Sequence, residues 1–154
     1  MKVTMLQILN AVGSLNTLVN LSVPFSVAVQ MQKLTKQIND YSETFQKERE
    51  KINELCDGKL KEIDEEYVDV LAEINGEYKD VKDEDLPNVI REQKQTIEKQ
   101  KQSIEKERFD LISKLLEEEV NEEFIIIDFT KLANSDVKVQ TMSLMGIEPF
   151  AKFE

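Results

Sequence analysis

Thirty-one carboxylates, twenty lysines and arginines, one thiol at Cys56 and no histidine form the reactive inventory of this 154-residue chain. Without imidazole there is no His-based triad, no His metal ligand and no side chain whose ordinary pKa lies near neutrality. Cys56 lacks the base that would activate it as a nucleophile, and a lone cysteine forms no internal disulfide. It reads as an inert thiol, in keeping with a reducing compartment. The glycines at 13, 58, 76 and 146 are isolated, so there is no Gly-rich phosphate loop. These absences predict a protein that is not an enzyme, with no catalytic residue, no cofactor and no metal.

The carboxylates need a separate reading. Glu117, Glu118, Glu119, Glu122 and Glu123 have the oxygen chemistry of a hard-cation site, but they read as a solvated helix face just ahead of a strand. Asp80 to Asp85 lacks the glycine geometry of an EF-hand loop and reads as a polar hairpin tip. Gln93, Lys94, Gln95, Lys99, Gln100, Lys101 and Gln102 are interleaved with Glu92, Glu98 and Glu105, which is the pattern of helix-surface pairs. A net charge of -11 repels phosphate backbones, so no direct nucleic-acid binding is expected. Binding energy is then sought among the aromatics. Phe25, Phe109, Phe124 and Phe129 are expected mostly in the core, while Phe150 and Phe153, with Leu144 and Ile147, are the partner-binding candidates, because a terminal helix gains order mainly by docking.

The elements that position these residues follow from periodicity. At 40% apolar and 33% charged, with only 4 Gly and 3 Pro, the composition suits helices. Thr4 followed by Gln7 resembles a capping box, and Met5, Ile8, Val12, Leu15 and Val19 predict a helix over about 4–20. Ser22 and Pro24 restart the chain. Val27, Met31, Leu34, Ile38, Tyr41, Phe45, Ile52 and Leu55 then follow heptad spacing. The stripe resumes, displaced by one position, at Leu60, Ile63, Tyr67, Val70, Ile74 and Tyr78, so Asp57-Gly58 is either a kink or a turn. Asn75-Gly76 is the stronger turn signal, and Pro87-Asn88 opens a helix to about Asn121. Its first half, with Ile90, Ile97 and Ile104 alone, predicts a solvated arm; Phe109, Leu111, Ile112, Leu115, Leu116 and Val120 predict a core-facing second half.

After Glu123 the pattern changes to a buried strand, Phe124 to Phe129, with Val137 to Val139 as a pairing candidate and a terminal helix from Thr141 through Phe150. The predicted fold is mainly α: a long antiparallel helical hairpin, coiled-coil-like, with a short N-terminal helix and a small C-terminal β element followed by a terminal helix. It is one domain over 1–154, with a base formed by 1–56 and 105–154 and a projecting arm over 57–104. Val3 to Gln32 carry no charge, yet polar residues from Gln7 to Ser22 interrupt them too often for a membrane span. Residues 1–40 hold three lysines and one aspartate, a net +2, which leaves -13 for 41–154. The N-terminal segment is therefore the part expected to be buried, in its own core or in a partner.

Asn10-Ala11-Val12, Leu15-Asn16, Val23-Pro24, the strand Phe124 to Phe129 and the apolar tail Leu144 to Phe150 occur in an order that resembles small tailed-bacteriophage proteins with a charged helical hairpin. The likeness covers about the first 55 and last 35 residues. The middle, 57–105, departs from it by being longer and more helical. The resemblance implies a phage product in the virion or the host bacterial cytoplasm, and brings no catalytic residues. The leading expectation is a virion or assembly component that binds phage structural proteins. Alternatives are an acidic inhibitor of a host defence or nucleic-acid enzyme, imitating phosphate, and a coiled-coil chaperone. A homo-oligomer through Ile90, Ile97 and Ile104 is a further expectation.

Overall fold

The computed structural model describes residues 2–20, 22–130 and 145–153. The chain is mainly α-helical and divides into two compact units, Met1–Glu48 with Lys114–Glu154, and Arg49–Ser113.

In the first unit, strand β1 (Lys2–Thr4) runs directly into helix α1 (Met5–Leu18). Thr4 ends the strand and caps the helix: its Oγ1 accepts from the Gln7 amide at 3.2 Å, and its own amide donates to Gln7 Oε1 at 2.9 Å. This reciprocal pair is the capping box expected from the spacing. Met5, Ile8, Ala11, Leu15 and Leu18 form the buried stripe of α1. Helix α2 (Phe25–Glu66) starts behind Pro24, whose carbonyl accepts from the amides of Val27 and Ala28 at 3.0 Å. Its first half buries Val27, Met31, Leu34, Ile38 and Phe45 in the same core.

The β structure is more distributed than the sequence suggests. The long second arm of the hairpin, α4 (Asn88–Glu117), stops four residues before the expected end, because Glu119–Asn121 form β2 antiparallel to β1. Val120 pairs with Val3, and the Met5 amide donates to the Glu118 carbonyl at 2.9 Å. Within the expected strand Phe124 to Phe129, the regular ladder covers β3 (Ile127–Asp128), which pairs in parallel with β4 (Ala151–Lys152). Phe124, Ile127 and Phe129 are buried.

The residues just ahead of β3 find their backbone partners on a helix. Gln37 Oε1 accepts from the Ile125 amide at 2.8 Å while its Nε2 donates to the Glu123 carbonyl at 3.0 Å. Gln30, one heptad earlier on α2, accepts from the Asp128 amide at 2.9 Å. Seven residues make nearly two helical turns, so both amides lie on one face and take the place of a neighbouring strand. At the other end of the chain Met145 and Gly146 are helical, and a 3-10 turn, Glu148–Phe150, then delivers the chain to β4. The first four residues of the expected terminal helix, 141–144, and all of Val137 to Val139 lie outside the described residues.

The second unit has its own buried residues: Cys56 and Ile63 from α2, Ile90 and Ile97 from α4, and Leu86 between them in sequence. The stretch expected to be a solvated arm is therefore a compact unit, bounded at 49 and 113 rather than 57 and 104. Of the seam named as a candidate for self-association, Ile90 and Ile97 are buried within the chain and Ile104 is partly buried. Of the two alternatives at Asp57-Gly58 the turn is excluded, since α2 runs through both positions and no glycine has a positive φ among the described residues. The interruption falls at Tyr67 (φ -107°, ψ 27°), after which α3 (Val68–Asn75) continues to the turn at Gly76. Within the unit the partners advance along α2 as they retreat along α4, which is the antiparallel hairpin: Asp57 with Arg108 at 2.5 Å, Lys59 with Glu107 at 2.8 Å, Asp64 with Lys101 at 2.6 Å.

Candidate protein-interaction surface

The fold sends the four expected partner-binding residues to different places. Ile147 and Phe150 are fully buried, and Phe150 meets Phe124 edge-on with ring centroids 5.2 Å apart. They are core residues rather than presented anchors. The cause is the β3–β4 ladder, extended by the Phe129 amide donating to the Lys152 carbonyl at 2.8 Å, which ties the end of the chain onto its own first unit. Phe153 remains exposed, stacked on Phe129 at 5.5 Å. Leu144 lies outside the described residues.

Another part of the first unit presents apolar surface. Phe25 is 85% exposed and Val19 65%, both within the uncharged run, and Leu6 on α1 is also exposed. Val19 also lines a groove of about 470 Å³, with Leu15, Val23, Ala28 and Met31 and the polar Gln32, Thr35 and Lys36. Concave apolar surface with a few polar groups at its edge is the usual chemistry of a binding site. The absence of charge from Val3 to Gln32 was the sequence signal for this region. Periodicity alone placed Phe25 in the core, whereas it heads the opposite side of α2 from Val27 and Leu34.

The second unit exposes Leu55, Val68, Val89 and Phe109 singly, among polar side chains that bond one another. Besides the three ion pairs, Gln100 Nε2 donates to Tyr67 Oη at 3.4 Å, and Arg108 Nη1 donates to Asn53 Oδ1 at 3.2 Å. Of the Lys and Gln run singled out in the sequence, Gln100 and Lys101 bond across to the α2–α3 side of the hairpin. At its turn, Arg91 Nε donates to the Asp83 carbonyl at 2.9 Å, and its Nη2 to the carbonyls of Glu84 and Leu86 at 2.6 and 3.1 Å. Lys94 pairs with Asp83 at 2.5 Å. Donation to these carboxylates raises the pKa of Lys59, Lys94 and Arg108 above the ordinary values. Pairs this exposed are screened by solvent, so they set register more than stability.

The remaining chemical candidates have structural neighbours. Cys56 is fully buried in the second unit, out of reach of a substrate. Tyr41 donates to Glu122, and this bond, with burial and the nearby charge, raises the Tyr41 phenol above its usual pKa. Glu119 lies 3.8 Å from Lys2. Among the described residues no three His, Cys, Asp or Glu side chains converge as a metal site, and no helix is long and apolar enough to cross a membrane. Comparison of the chain with protein-family models, curated proteins and solved structures found no match.

Proposed function

We propose that this chain is a non-enzymatic structural or assembly component of a tailed bacteriophage, working in the virion or the host cytoplasm and docking on other proteins through its uncharged N-terminal face. The observation that carries this reading is the exposure of Val19 and Phe25 together with an apolar groove lined mainly from the uncharged segment, in a chain one-third of whose residues are charged. Large apolar side chains grouped on a surface mark sites that a partner covers. The phage setting rests on the resemblance at the two ends of the chain.

A second reading, an acidic inhibitor that occupies a basic channel of a host enzyme, is favoured by the -13 carried by residues 41–154. Affinity capture of the native protein from infected cells, followed by mass spectrometry at low and high salt, separates the two. Phage structural proteins retained at high salt, and lost with Phe25→Asp, support docking through the apolar face. A single host nuclease or defence enzyme released by salt, and indifferent to Phe25→Asp, replaces it with the inhibitor reading.

A further inference from the structure

The second unit contains two steps at which a backbone nitrogen can attack the side chain before it, Asp57-Gly58 and Asn75-Gly76. Glycine lacks the Cβ that would hinder the approach, and a five-membered imide closes when its nitrogen reaches Cγ of the preceding residue. All four residues are exposed, so solvent access does not separate the two steps. Their secondary structure does.

Gly58 lies well inside α2, where a helical amide is committed to the carbonyl four residues back. The Asp57 carboxylate is paired with Arg108 at 2.5 Å, and a charged carboxylate is a poor centre for attack. Asn75 is instead the last residue of α3, an eight-residue helix with no side-chain cap at Tyr67, no buried residue and no basic residue in its last turn. A helix that short is marginal without packing, and its C-terminal partial charge is uncompensated. One backbone bond holds the reacting nitrogen: the Gly76 amide donates to the Ala72 carbonyl at 2.9 Å. The Asn75 side chain has no hydrogen-bond partner among the described residues.

We propose that Asn75 is a self-modification site, converted to aspartate and isoaspartate through openings of the last turn of α3. With the bond to Ala72 broken, solvent hydroxide removes the Gly76 amide proton and the nitrogen attacks Asn75 Cγ. The N–Cγ bond forms and the Cγ–Nδ2 bond breaks, while water returns the proton to Nδ2, which leaves as ammonia. A water molecule then opens the imide at one of its two carbonyls. One opening gives aspartate; the other routes the main chain through the side chain as isoaspartate. Either product adds a negative charge to a chain that already carries -11, close in sequence to Glu73, Glu77 and Asp80. The charge falls at a helix C-terminus, where the macrodipole disfavours it, so conversion loosens the turn whose opening allowed it.

The test is ageing of the purified full chain at mildly alkaline pH, in buffer and in guanidinium, with peptide mass spectrometry and isoaspartyl-methyltransferase labelling at both steps. The guanidinium rates give each step's own reactivity without structure. Asn75 in the native chain is expected to convert within about tenfold of its guanidinium rate, as for a last turn that opens for no more than about 1.4 kcal/mol. Isoaspartate at Asp57 is expected to be slowed at least about a hundredfold, because its position opens only with the surrounding helix. A native rate at Asn75 more than about tenfold below its guanidinium rate, or a protection of Asp57 no greater than that of Asn75, overturns the proposal.

Discussion

Replacing Gly146 by alanine should destabilise the first unit, and the size of the effect follows from what a methyl group would meet. A Cβ there would overlap Ser14 Oγ and lie 3.0 Å from the Asn10 carbonyl oxygen and 3.1 Å from Ser14 Cβ, all on α1. The hydroxyl can turn aside. The Asn10 carbonyl belongs to helix backbone and cannot move without displacing α1. Inserting a methyl into such a contact costs about 1–3 kcal/mol, which for a chain of this size lowers the unfolding midpoint by about 2–4 °C per kcal/mol. Thermal unfolding followed by circular dichroism measures it, since the chain has no tryptophan to report by fluorescence. The sharper form is a double-mutant cycle with Ser14→Ala. Removing the hydroxyl clears the shortest contact and leaves the two near 3 Å, so the double variant should recover part of the loss. A Gly146→Ala protein as stable as the parent would refute the close approach of this glycine to α1; a loss that Ser14→Ala does not relieve would assign it to the Asn10 carbonyl alone.

Three further outcomes are expected. Gly58→Ala should raise stability by about 0.8–1 kcal/mol in urea titrations, because position 58 is inside α2 and its Cβ would meet nothing within 4 Å; a loss would mean a break in the helix. Gln37→Leu should cost about 0.5–1.5 kcal/mol for each of the two bonds it removes, to the Ile125 amide and the Glu123 carbonyl, and Gln37→Glu should be intermediate, since the carboxylate still accepts from Ile125 but no longer donates to Glu123. Equal effects of the two substitutions would contradict the two-sided role of the amide. In alkaline spectrophotometric titration, Tyr41 should ionise later than an ordinary phenol. Because its folded pKa is raised, its bond to Glu122 contributes below the unfolded phenol pKa and is lost as pH rises through the folded value. Tyr41→Phe should remove that late-titrating phenol and flatten the alkaline loss of stability; an unchanged curve would show that the bond does not form in solution.

The pattern of residues by itself determined the helical class, the capping box at Thr4 and Gln7, the turn at Gly76 and the start of α4 behind Pro87, because each depends on neighbours within a few positions. It also marked Val3 to Gln32 as the uncharged segment. Periodicity was silent on which faces find cover. It assigned Leu55 to the seam, yet Leu55 is 52% exposed and the adjacent Cys56 is 0% exposed, since small drifts in a 42-residue helix rotate the buried stripe. Phe109, expected in the core, is 70% exposed, while Phe150, expected at a partner, is fully buried. Pairing of β1 with β2 joins segments more than a hundred positions apart, and the Gln37 contacts join positions 86 and 88 apart. Such contacts depend on where distant segments are brought together, so only the tertiary structure decided that the chain's own end fills its core and that Phe25 and the groove face solvent.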